Sequence, residues 1–435
     1  MEVRFWGTRG SIAKPGPATL RYGGNTSCVE VRADDGTLIV LDCGTGAHGL
    51  GQALIASGRR CDGHLMITHT HWDHIQGFPF FAPLFVPGNS WDIYAPGKLG
   101  RQLEQTLAGQ MEYNYFPVRL DQLAAATRFH DLAEGEFAVG GVRVTARYLN
   151  HPALTLGYRL EADGAAIVYS VDHEPHVPNP AAMGESARAP HKEDRRHIEF
   201  LAAADLVIHD SQYTIAEYPQ KTGWGHTPAE WAVDYAVAAR ARRLALTHHD
   251  PLRDDDGVDR VLEVCRRRAA AAGSPIEIFA AFEGQTLEFG RRGVEALAAV
   301  SPKPAENVAT PTILIADDDP EIVQLLMQAL APDEYNIVTA HDGKTALDLV
   351  RSARPALVLL DWHMPGADGM EVTRALRGDA EAAVRDVPVV LITGRTGADD
   401  TATGFDAGVT DYLTKPFRAA HVRTRVQAWL MRRPR

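Results

Sequence analysis

Short runs of apolar and β-branched residues dominate the first two thirds of the chain, and polar or glycine-containing segments separate them. Such runs are typical of strands in layered sheets. Helical periodicity lies between some of the runs, at 99–110 and 228–242. The mixture of hairpin-like and helix-separated strands predicts a layered α/β architecture and not a helical bundle. The predicted strands are 29–31, 38–42, 64–68, 142–149, 166–172, 206–210 and 243–249.

Beyond residue 311 the apolar runs and the helical patterns alternate in a regular order, with a helical stretch after each run. Parallel strands need crossover connections, so this repetition is typical of a doubly wound parallel sheet, here a (βα)5 unit. The predicted strands are 312–316, 336–340, 356–361, 387–393 and 411–415, and the first two helices are 320–331 and 343–353.

A change in composition separates the two patterns. Residues 290–311 carry three prolines among small and polar residues, which favours a connecting segment. A chain of 435 residues is long enough for two or three domains, each with its own core. The sequence therefore predicts an N-terminal domain at 1–290, a linker at 291–310 and a C-terminal domain at 311–435.

The charge balance narrows the choice of partners and compartment. The chain has 44 Lys and Arg against 56 Asp and Glu, a net charge of −12, which argues against an extended nucleic-acid surface. Cys28, Cys43, Cys61 and Cys265 form no C-x-x-C pair, so we expect reduced thiols and a cytoplasmic protein. The chain start does not resemble a signal peptide, and no apolar run of about 18 residues predicts a membrane span.

The densest chemical signal is the segment 66–80, MITHTHWDHIQGFPF, which contains the pattern H-x-H-x-D-H directly after an apolar strand. Polar side chains this close together are costly to bury unless a metal ion or hydrogen bonds compensate them. Imidazole and carboxylate groups are ligands of Zn²⁺ and related ions. The sequence therefore predicts a metal site from this segment and from three later strand ends. The candidate ligands are His69, His71, Asp73, His74, His151, Asp172 and His248, with His249 as the alternative to His248.

With these motifs, residues 1–290 resemble the metallo-β-lactamase fold family. The resemblance implies a four-layer αβ/βα sandwich with a binuclear metal site at one edge. A histidine at position 71, where the di-iron branch has a glutamate, favours zinc, with manganese or iron as alternatives. The implied ligands are His69, His71 and His151 for one ion and Asp73, His74 and His248 for the other, with Asp172 bridging both.

Several other segments resemble the phosphodiesterase and ribonuclease Z branch of that family. This branch implies a proton-handling pair, Asp210 and His226, and a metal-bridging hydroxide that Asp73 orients. The chain is acidic and shows no basic arm, so a small, cyclic nucleotide-like phosphodiester is favoured over structured RNA. The segments are FWGTRGS at 5–11, RYGGNTSC at 21–28, LDCGTG at 41–46, HDSQYT at 209–214 and GWGHT at 223–227.

Two alternative functions stay open at this point. A bridging hydroxide also attacks carbonyl carbon, so the substrate could be a lactone, a thioester or a β-lactam. The domain could also bind metal without catalysis, as a sensor or an interaction module.

The C-terminal domain has a second constellation at its strand ends. Asp317 and Asp318 follow its first strand, Asp361 its third, and Lys415 its fifth. The carboxyl ends of parallel strands meet at one crevice, and converging carboxylates predict a Mg²⁺ site there. With the motifs DDDP, LLDWHMPGADG, LIT and LTKPF, residues 311–435 resemble a response-regulator receiver domain.

The resemblance implies a role for each pocket residue. Asp361 would accept a phosphoryl group from a histidine kinase or a phosphotransfer protein, and Lys415 would hold a phosphoryl oxygen. Mg²⁺ would bind Asp318, Asp361 and the backbone carbonyl of His363, with Asp317 in the outer sphere.

Two further residues would transmit the signal. Thr393 and Tyr412 would change orientation on phosphorylation, and the peptide bond before Pro416 would be cis. The whole chain would then be a two-component response regulator. Phosphorylation of Asp361 would control a metallohydrolase or its assembly into a homodimer.

Overall fold

The computed structural model describes residues 1–97, 103–176, 192–290, 310–331, 333, 335–394, 407–417 and 419–431. Contacts divide the described residues into two compact units, the first within residues 1–290 and the second within residues 310–431. Of the predicted linker at 291–310, only residue 310 lies within the described residues, so the predicted domain boundaries stay predictions. Residues 99–102 of one predicted helix also lie outside them.

The first sheet of the N-terminal unit has seven strands in the order β14-β1-β2-β3-β4-β5-β6. The strands β3 to β6 run parallel to one another, whereas the pairs β14–β1, β1–β2 and β2–β3 are antiparallel. The strands are β1 (Glu2–Gly7), β2 (Cys28–Arg32), β3 (Leu38–Leu41), β4 (Gly63–Met66), β5 (Ser90–Pro96), β6 (Ala126–Leu132) and β14 (Thr286–Glu288).

The second sheet also has seven strands, in the order β13-β12-β11-β10-β9-β8-β7. Its strands β10 to β13 pair in parallel and β7 to β10 pair as antiparallel hairpin-type neighbours. The strands are β7 (Gly135–Val139), β8 (Val142–Leu149), β9 (Thr155–Ala162), β10 (Ala165–Ser170), β11 (Leu206–Asp210), β12 (Arg243–Thr247) and β13 (Glu277–Ala280).

Apolar side chains from both sheets meet in one buried cluster, which includes Phe5 and Met66 from the first sheet and Leu156 and Ile208 from the second. A separate apolar cluster joins the outer face of the first sheet to the helix α1 through Leu50. The helices α5 and α6 contact strands of the second sheet. The predicted four-layer sandwich is confirmed. Its helices are α1 (Gly46–Ala56), α2 (Trp72–Ile75), α3 (Leu103–Gln110), α4 (Lys192–Leu201), α5 (Ala229–Ala238) and α6 (Asp255–Ala271), with short 3₁₀ turns at Pro17–Thr19, Phe78–Phe80, Ala82–Phe85, Leu120–Gln122 and Tyr218–Gln220.

The C-terminal unit is a five-stranded parallel sheet in the order β16-β15-β17-β18-β19, with apolar clusters on both faces. From β15 the chain passes first to β16 on one side and then crosses to β17 on the other side of β15. The crevice therefore lies at the carboxyl ends of β15 and β17. The predicted doubly wound unit is confirmed. Its elements are β15 (Thr312–Ala316), α7 (Pro320–Leu330), β16 (Asn336–Ala340), α8 (Gly343–Ala353), β17 (Leu357–Asp361), α9 (Gly369–Arg377), α10 (Ala382–Arg385), β18 (Val389–Thr393), β19 (Asp411–Thr414) and α11 (Ala419–Met431).

Within the described ranges, every helix is too short or too polar to cross a membrane.

Candidate metal centres

The loop after β4 presents the H-x-H-x-D-H residues at the carboxyl edge of the first sheet. His69 and His71 follow the strand, and His71 precedes α2 as its N-cap residue in an extended conformation. Asp73 and His74 lie in the single turn of α2. The turn redirects the chain, so side chains from the loop and from the helix face the same space.

The second sheet supplies the remaining candidate ligands from the carboxyl ends of its strands. His151, Asp172 and His248 lie one or two residues beyond β8, β10 and β12. Asp172 and His248 both have a φ of 58°. Residues other than glycine rarely adopt this left-handed backbone conformation. It recurs at functional sites, where the surrounding structure stabilises it.

The structure brings all seven predicted ligands together at this edge. Their ligand atoms form overlapping groups in which the atoms lie within 4.8 Å of one another. His71 is exposed and the other members are buried, so the cluster opens to solvent beside His71. The groups are His69, His71, His151 and Asp172; Asp73, His74 and His248; and Asp172, His226 and His248.

Hydrogen bonds fix the orientation of two central imidazoles. His74 Nδ1 lies 2.7 Å from Asp42 Oδ2, and His248 Nδ1 lies 2.9 Å from Gln212 Oε1. Both partners accept, so each Nδ1 carries the proton and each Nε2 has a free lone pair in the neutral ring. The two Nε2 atoms lie 3.3 Å apart. Facing lone pairs repel, and a cation between them removes the repulsion.

The other side of the cluster shows the same arrangement. His151 Nδ1 donates to the carbonyl oxygen of Gly225 at 2.9 Å, and His151 Nε2 lies 3.2 Å from His71 Nδ1. His69 Nε2 and Asp172 Oδ1 are buried and make no hydrogen bond to any described residue. Buried polar atoms without partners are costly. The nitrogen and oxygen donors at this edge therefore fit divalent cations.

The pKa shifts of His69, His71 and His151 favour neutral imidazoles, and those of Asp73 and Asp172 favour ionised carboxylates. His74 is an exception, because burial lowers its pKa but the nearby Asp73 and Asp172 carboxylates outweigh burial and raise that pKa well above its ordinary value. Burial lowers the pKa of His151 to about 3, although Asp172 opposes the shift. Burial raises the pKa of Asp172, but the nearby His248 and His74 outweigh burial. The pKa of Asp172 therefore lies well below its ordinary value. Metal ligands must be deprotonated, and the pKa shifts of His151 and Asp172 favour that state at neutral pH.

The predicted proton-handling pair lies against the cluster. His226 Nδ1 is 3.0 Å from Asp210 Oδ2 and 4.0 Å from Asp172 Oδ2. The backbone N–H groups of Gln212 and Thr227 donate to Asp210 at 3.0 and 3.1 Å and fix its carboxylate. Burial lowers the pKa of His226, but its attraction and hydrogen bond to Asp210 outweigh burial and raise that pKa to about 9.

The structure separates the two adjacent histidines that the sequence left as alternatives. His248 directs Nε2 toward Asp73 and Asp172 at 3.1 and 3.2 Å. His249 Nε2 instead donates to the carbonyl oxygen of Ala281 at 3.0 Å, outside the cluster. The geometry favours His248 as the ligand.

Three residues that position the candidate site residues were not predicted from the sequence. Asp42 accepts from the Tyr169 hydroxyl at 2.9 Å and from Thr68, besides holding His74. Gln212 holds His248, and the Glu174 carboxylate accepts hydrogen bonds from the segment that precedes His226. A polar residue directly after an apolar strand, as Asp42 follows β3, is the signal that could have found one of them. The other two carry no such signal.

In the C-terminal unit the predicted pocket residues also converge. Ligand atoms of Asp317, Asp318 and Asp361 lie within 4.8 Å of one another, with Asp318 exposed. Lys415 Nζ donates to Asp317 Oδ2 at 2.9 Å and to Asp361 Oδ1 at 2.6 Å. Burial raises the pKa of Asp317, although Lys415 opposes the shift. Three oxygen donors that repel one another fit a hard cation such as Mg²⁺.

The remaining receiver residues surround this pocket. The His363 N–H donates to Asp361 Oδ2 at 2.8 Å, and the Lys415 N–H donates to the carbonyl oxygen of Thr393 at 2.7 Å. The ring of Tyr412 stacks on Trp362 with the centroids 6.4 Å apart. The Lys415–Pro416 bond is cis, as predicted.

The fold and the two clusters define a metallo-β-lactamase-fold domain joined to a receiver domain. A family model described as a beta-lactamase superfamily domain matches residues 37–249, and a response regulator receiver domain model matches residues 313–427. The chain thus contains a metallo-β-lactamase-fold domain and a response regulator receiver domain.

Individual relatives match one domain or the other. Over 120 residues the chain is 40% identical to the response regulator MprA of Mycobacterium tuberculosis, which covers 28% of this chain and 50% of the relative. The chain thus spans about half the length of the curated relatives it matches. The metallo-β-lactamase fold protein YhfI of Bacillus subtilis aligns with 66% of this chain and 98% of its own (19% identity, TM-score 0.45). The short form of human tRNase Z aligns with 66% of this chain and 99% of its own (21% identity, TM-score 0.44).

Proposed function

We propose that the N-terminal domain is a metal-dependent hydrolase of small, cyclic nucleotide-like phosphodiesters, regulated through phosphorylation of Asp361. The observation that carries the proposal is the His226–Asp210 pair. The His226 ring lies 5.5 Å from the His151 ring and 5.0 Å from the His248 ring, so it borders both ligand groups. A proton donor at this place suits a reaction that releases an alkoxide.

The proposed ligands are the seven residues that the sequence predicted, and zinc is the proposed metal, with manganese or iron as alternatives. When bound, two divalent ions would supply Lewis acidity toward a phosphoryl oxygen and a water of lowered pKa. The residues His69, His71, Asp73, His74, His151, Asp172 and His248 would hold them.

The chain's own residues would position the nucleophile and the proton. Asp73 Oδ2 accepts the Ser11 N–H at 2.7 Å, which fixes the carboxylate that would orient the attacking water. Asp210 holds the Nδ1 proton of His226, so the ring would donate a proton from Nε2 to the leaving oxygen. Departure of the protonated alcohol would complete the cleavage of the P–O bond.

The receiver domain would supply the control. A phosphodonor such as a histidine kinase would transfer a phosphoryl group to an Asp361 carboxylate oxygen. Lys415 Nζ, which already contacts Asp361 and Asp317, would then hold a phosphoryl oxygen, and Mg²⁺ at the three carboxylates would neutralise the added charge. Thr393 and Tyr412 border the pocket and would transmit the change.

Turnover by the full-length protein tests the catalytic proposal. We expect protein loaded with Zn²⁺ or Mn²⁺ to hydrolyse bis-p-nitrophenyl phosphate, and His69→Ala and Asp73→Ala to abolish this activity. The exposed His48 on α1 gives a matched control, and His48→Ala should retain full activity. Turnover of lactones, thioesters or β-lactams alone would contradict the phosphodiesterase, and metal binding without turnover of any substrate would indicate a sensor or interaction module.

Labelling with acetyl phosphate tests the phosphorylation site. Wild-type protein with Mg²⁺ should form a phosphoprotein, and Asp361→Asn should not. Asp368, the N-cap residue of α9, is the matched control, because its carboxylate binds the Glu371 N–H and lies outside the carboxylate group. Equal labelling of wild type and Asp361→Asn would contradict the assignment.

A further inference from the structure

An aromatic side chain with an open face lies two residues before His226. Trp224 is 55% exposed, although Lys221 Nζ lies only 4.2 Å from the centroid of its ring. An ammonium group at this distance covers one face of an indole. More than half of the residue is still accessible, which leaves indole surface on which a planar group can stack.

The segment that carries Trp224 is held rigidly. The buried carboxylate of Glu174 accepts hydrogen bonds from the Tyr218 hydroxyl at 2.7 Å and from the N–H groups of Gly223 and Gly225 at 2.6 and 2.8 Å. These bonds lie on both sides of Trp224. A binding group on such a preorganised segment loses little conformational entropy when a ligand binds.

The same segment is joined to the candidate catalytic residues. The Gly225 carbonyl oxygen accepts from His151 Nδ1 at 2.9 Å. The Tyr213 ring lies 5.7 Å from the His226 ring and 5.5 Å from Lys221 Nζ, so it connects the cation to the proton donor. The position of Trp224 is therefore coupled to the side of the site where His226 would meet the leaving group.

Lys221 adds a charge to this surface. Apart from its contacts with the rings of Trp224 and Tyr213, its ammonium forms no ion pair with any carboxylate that the structure describes. An ammonium that no carboxylate neutralises attracts anions. A ligand that offers both a planar ring and a phosphate would match the indole face and the cation together.

We propose that Trp224 and Lys221 form a subsite for the leaving group of the substrate, and that this subsite selects a nucleoside whose base stacks on the open indole face. The proposal rests on the hydrolase function above, because it takes His226 to mark the leaving-group side. Lys221 contributes to the binding of the phosphate, and Trp224 contributes the preference for an aromatic base.

Equilibrium binding of two ligands to the full-length, Zn²⁺-loaded protein separates these roles. We expect adenosine 5′-monophosphate to bind roughly tenfold or more tightly than ribose 5-phosphate, which lacks the base. Trp224→Leu should remove this difference and leave the affinity for ribose 5-phosphate unchanged. Lys221→Met should weaken both ligands by a similar factor. Tyr113→Leu, which removes another exposed aromatic side chain, should change neither affinity.

Calorimetry measures both affinities whether or not the protein hydrolyses a phosphodiester. Equal affinity of the wild type for both ligands, or a preference for the nucleotide that survives in Trp224→Leu, would overturn the subsite. A similar loss in Tyr113→Leu would also overturn it. Hydrolysis of bis-p-nitrophenyl phosphate, measured on the same samples, reports separately on the hydrolase function, so failure of one proposal is distinguishable from failure of the other.

Discussion

His74 and His248 direct their Nε2 atoms at each other across 3.3 Å, while Asp42 and Gln212 hold their Nδ1 atoms from behind. The first ring comes from the α2 turn and the second from the end of β12, so the contact joins the two sheets of the sandwich. Two lone pairs held face to face form a cation site that is already oriented. This relationship is the structural basis for the metal assignment.

The Gln212 amide should tune the affinity for metal. Gln212→Leu removes the acceptor for His248 Nδ1 without adding charge, and loss of such an outer partner typically weakens metal binding about 10- to 100-fold. Competition with a chromophoric zinc chelator measures the affinity. Gln52→Leu, at an exposed position on α1, is the matched control and should bind zinc normally. Unchanged affinity in Gln212→Leu would contradict the role of the amide.

The adjacent histidines give a stoichiometric test of the ligand assignment. His248→Asn should lower the zinc content of the dialysed protein from two ions to one. His249→Asn should retain two ions, because the His249 ring bonds to the Ala281 carbonyl outside the cluster. Elemental analysis of the two variants distinguishes the two assignments. The reverse result would assign the ligand to His249.

Gly225 should tolerate no side chain. A Cβ at this position would lie 2.1 Å from His151 Nδ1, and the φ of 89° is itself unfavourable for alanine by about 1 kcal/mol. Gly225→Ala should therefore reduce zinc content as well as stability. Gly284 has a φ of 84°, and a methyl group added there would meet no atom of a described residue within 4 Å, so Gly284→Ala isolates the backbone cost and should keep its zinc. Equal zinc content in both variants would contradict the predicted clash.

Acid should weaken the contribution of Asp92 to stability. Burial raises the pKa of Asp92, but its hydrogen bonds to Arg128 and His130 outweigh burial and lower the pKa below the ordinary value. A depressed folded-state pKa gives stability that is full above the unfolded pKa of about 3.9 and is lost as the pH falls through the folded pKa. Asp92→Asn should thus destabilise the protein at neutral pH, and the difference from wild type in urea unfolding should shrink below about pH 4. A constant difference would contradict this sign.

Much of the fold follows from local sequence. The predicted strands at 142–149 and 206–210 match β8 and β11 residue for residue. In the receiver domain, the apolar run at 312–316 matches β15, and the helix predicted at 320–331 matches α7 to within one residue. Seven strands of the N-terminal unit were not predicted, namely β1, β5, β6, β7, β9, β13 and β14. The sequences of β5 (SWDIYAP) and β9 (TLGYRLEA) alternate polar and apolar residues and lack a long apolar run, and pairing with neighbours on both sides stabilises these two strands.

The candidate site likewise contains some residues that the local sequence predicts and others that it does not. The dense H-x-H-x-D-H segment by itself predicts metal binding, and each later candidate ligand lies at the end of a predicted strand. The residues that orient the imidazoles do so across long sequence distances, as when the Tyr169 hydroxyl reaches Asp42 from 127 residues away. Such contacts exist only after the two sheets have packed, so no local pattern encodes them.

In the proposed reaction, His226 protonates the leaving oxygen of a phosphodiester beside the metal cluster. The most direct measurement compares His226→Asn with the wild type on two substrates, 2′,3′-cyclic AMP and bis-p-nitrophenyl phosphate. Loss of a general acid typically costs about 10²- to 10⁴-fold for a poor, alkoxide leaving group and far less for p-nitrophenolate, which needs no proton. We predict a large fall in kcat on the cyclic nucleotide and a small one on the nitrophenyl ester. An equal fall on both substrates, or no fall on the cyclic nucleotide, would contradict the role of His226 as the proton donor.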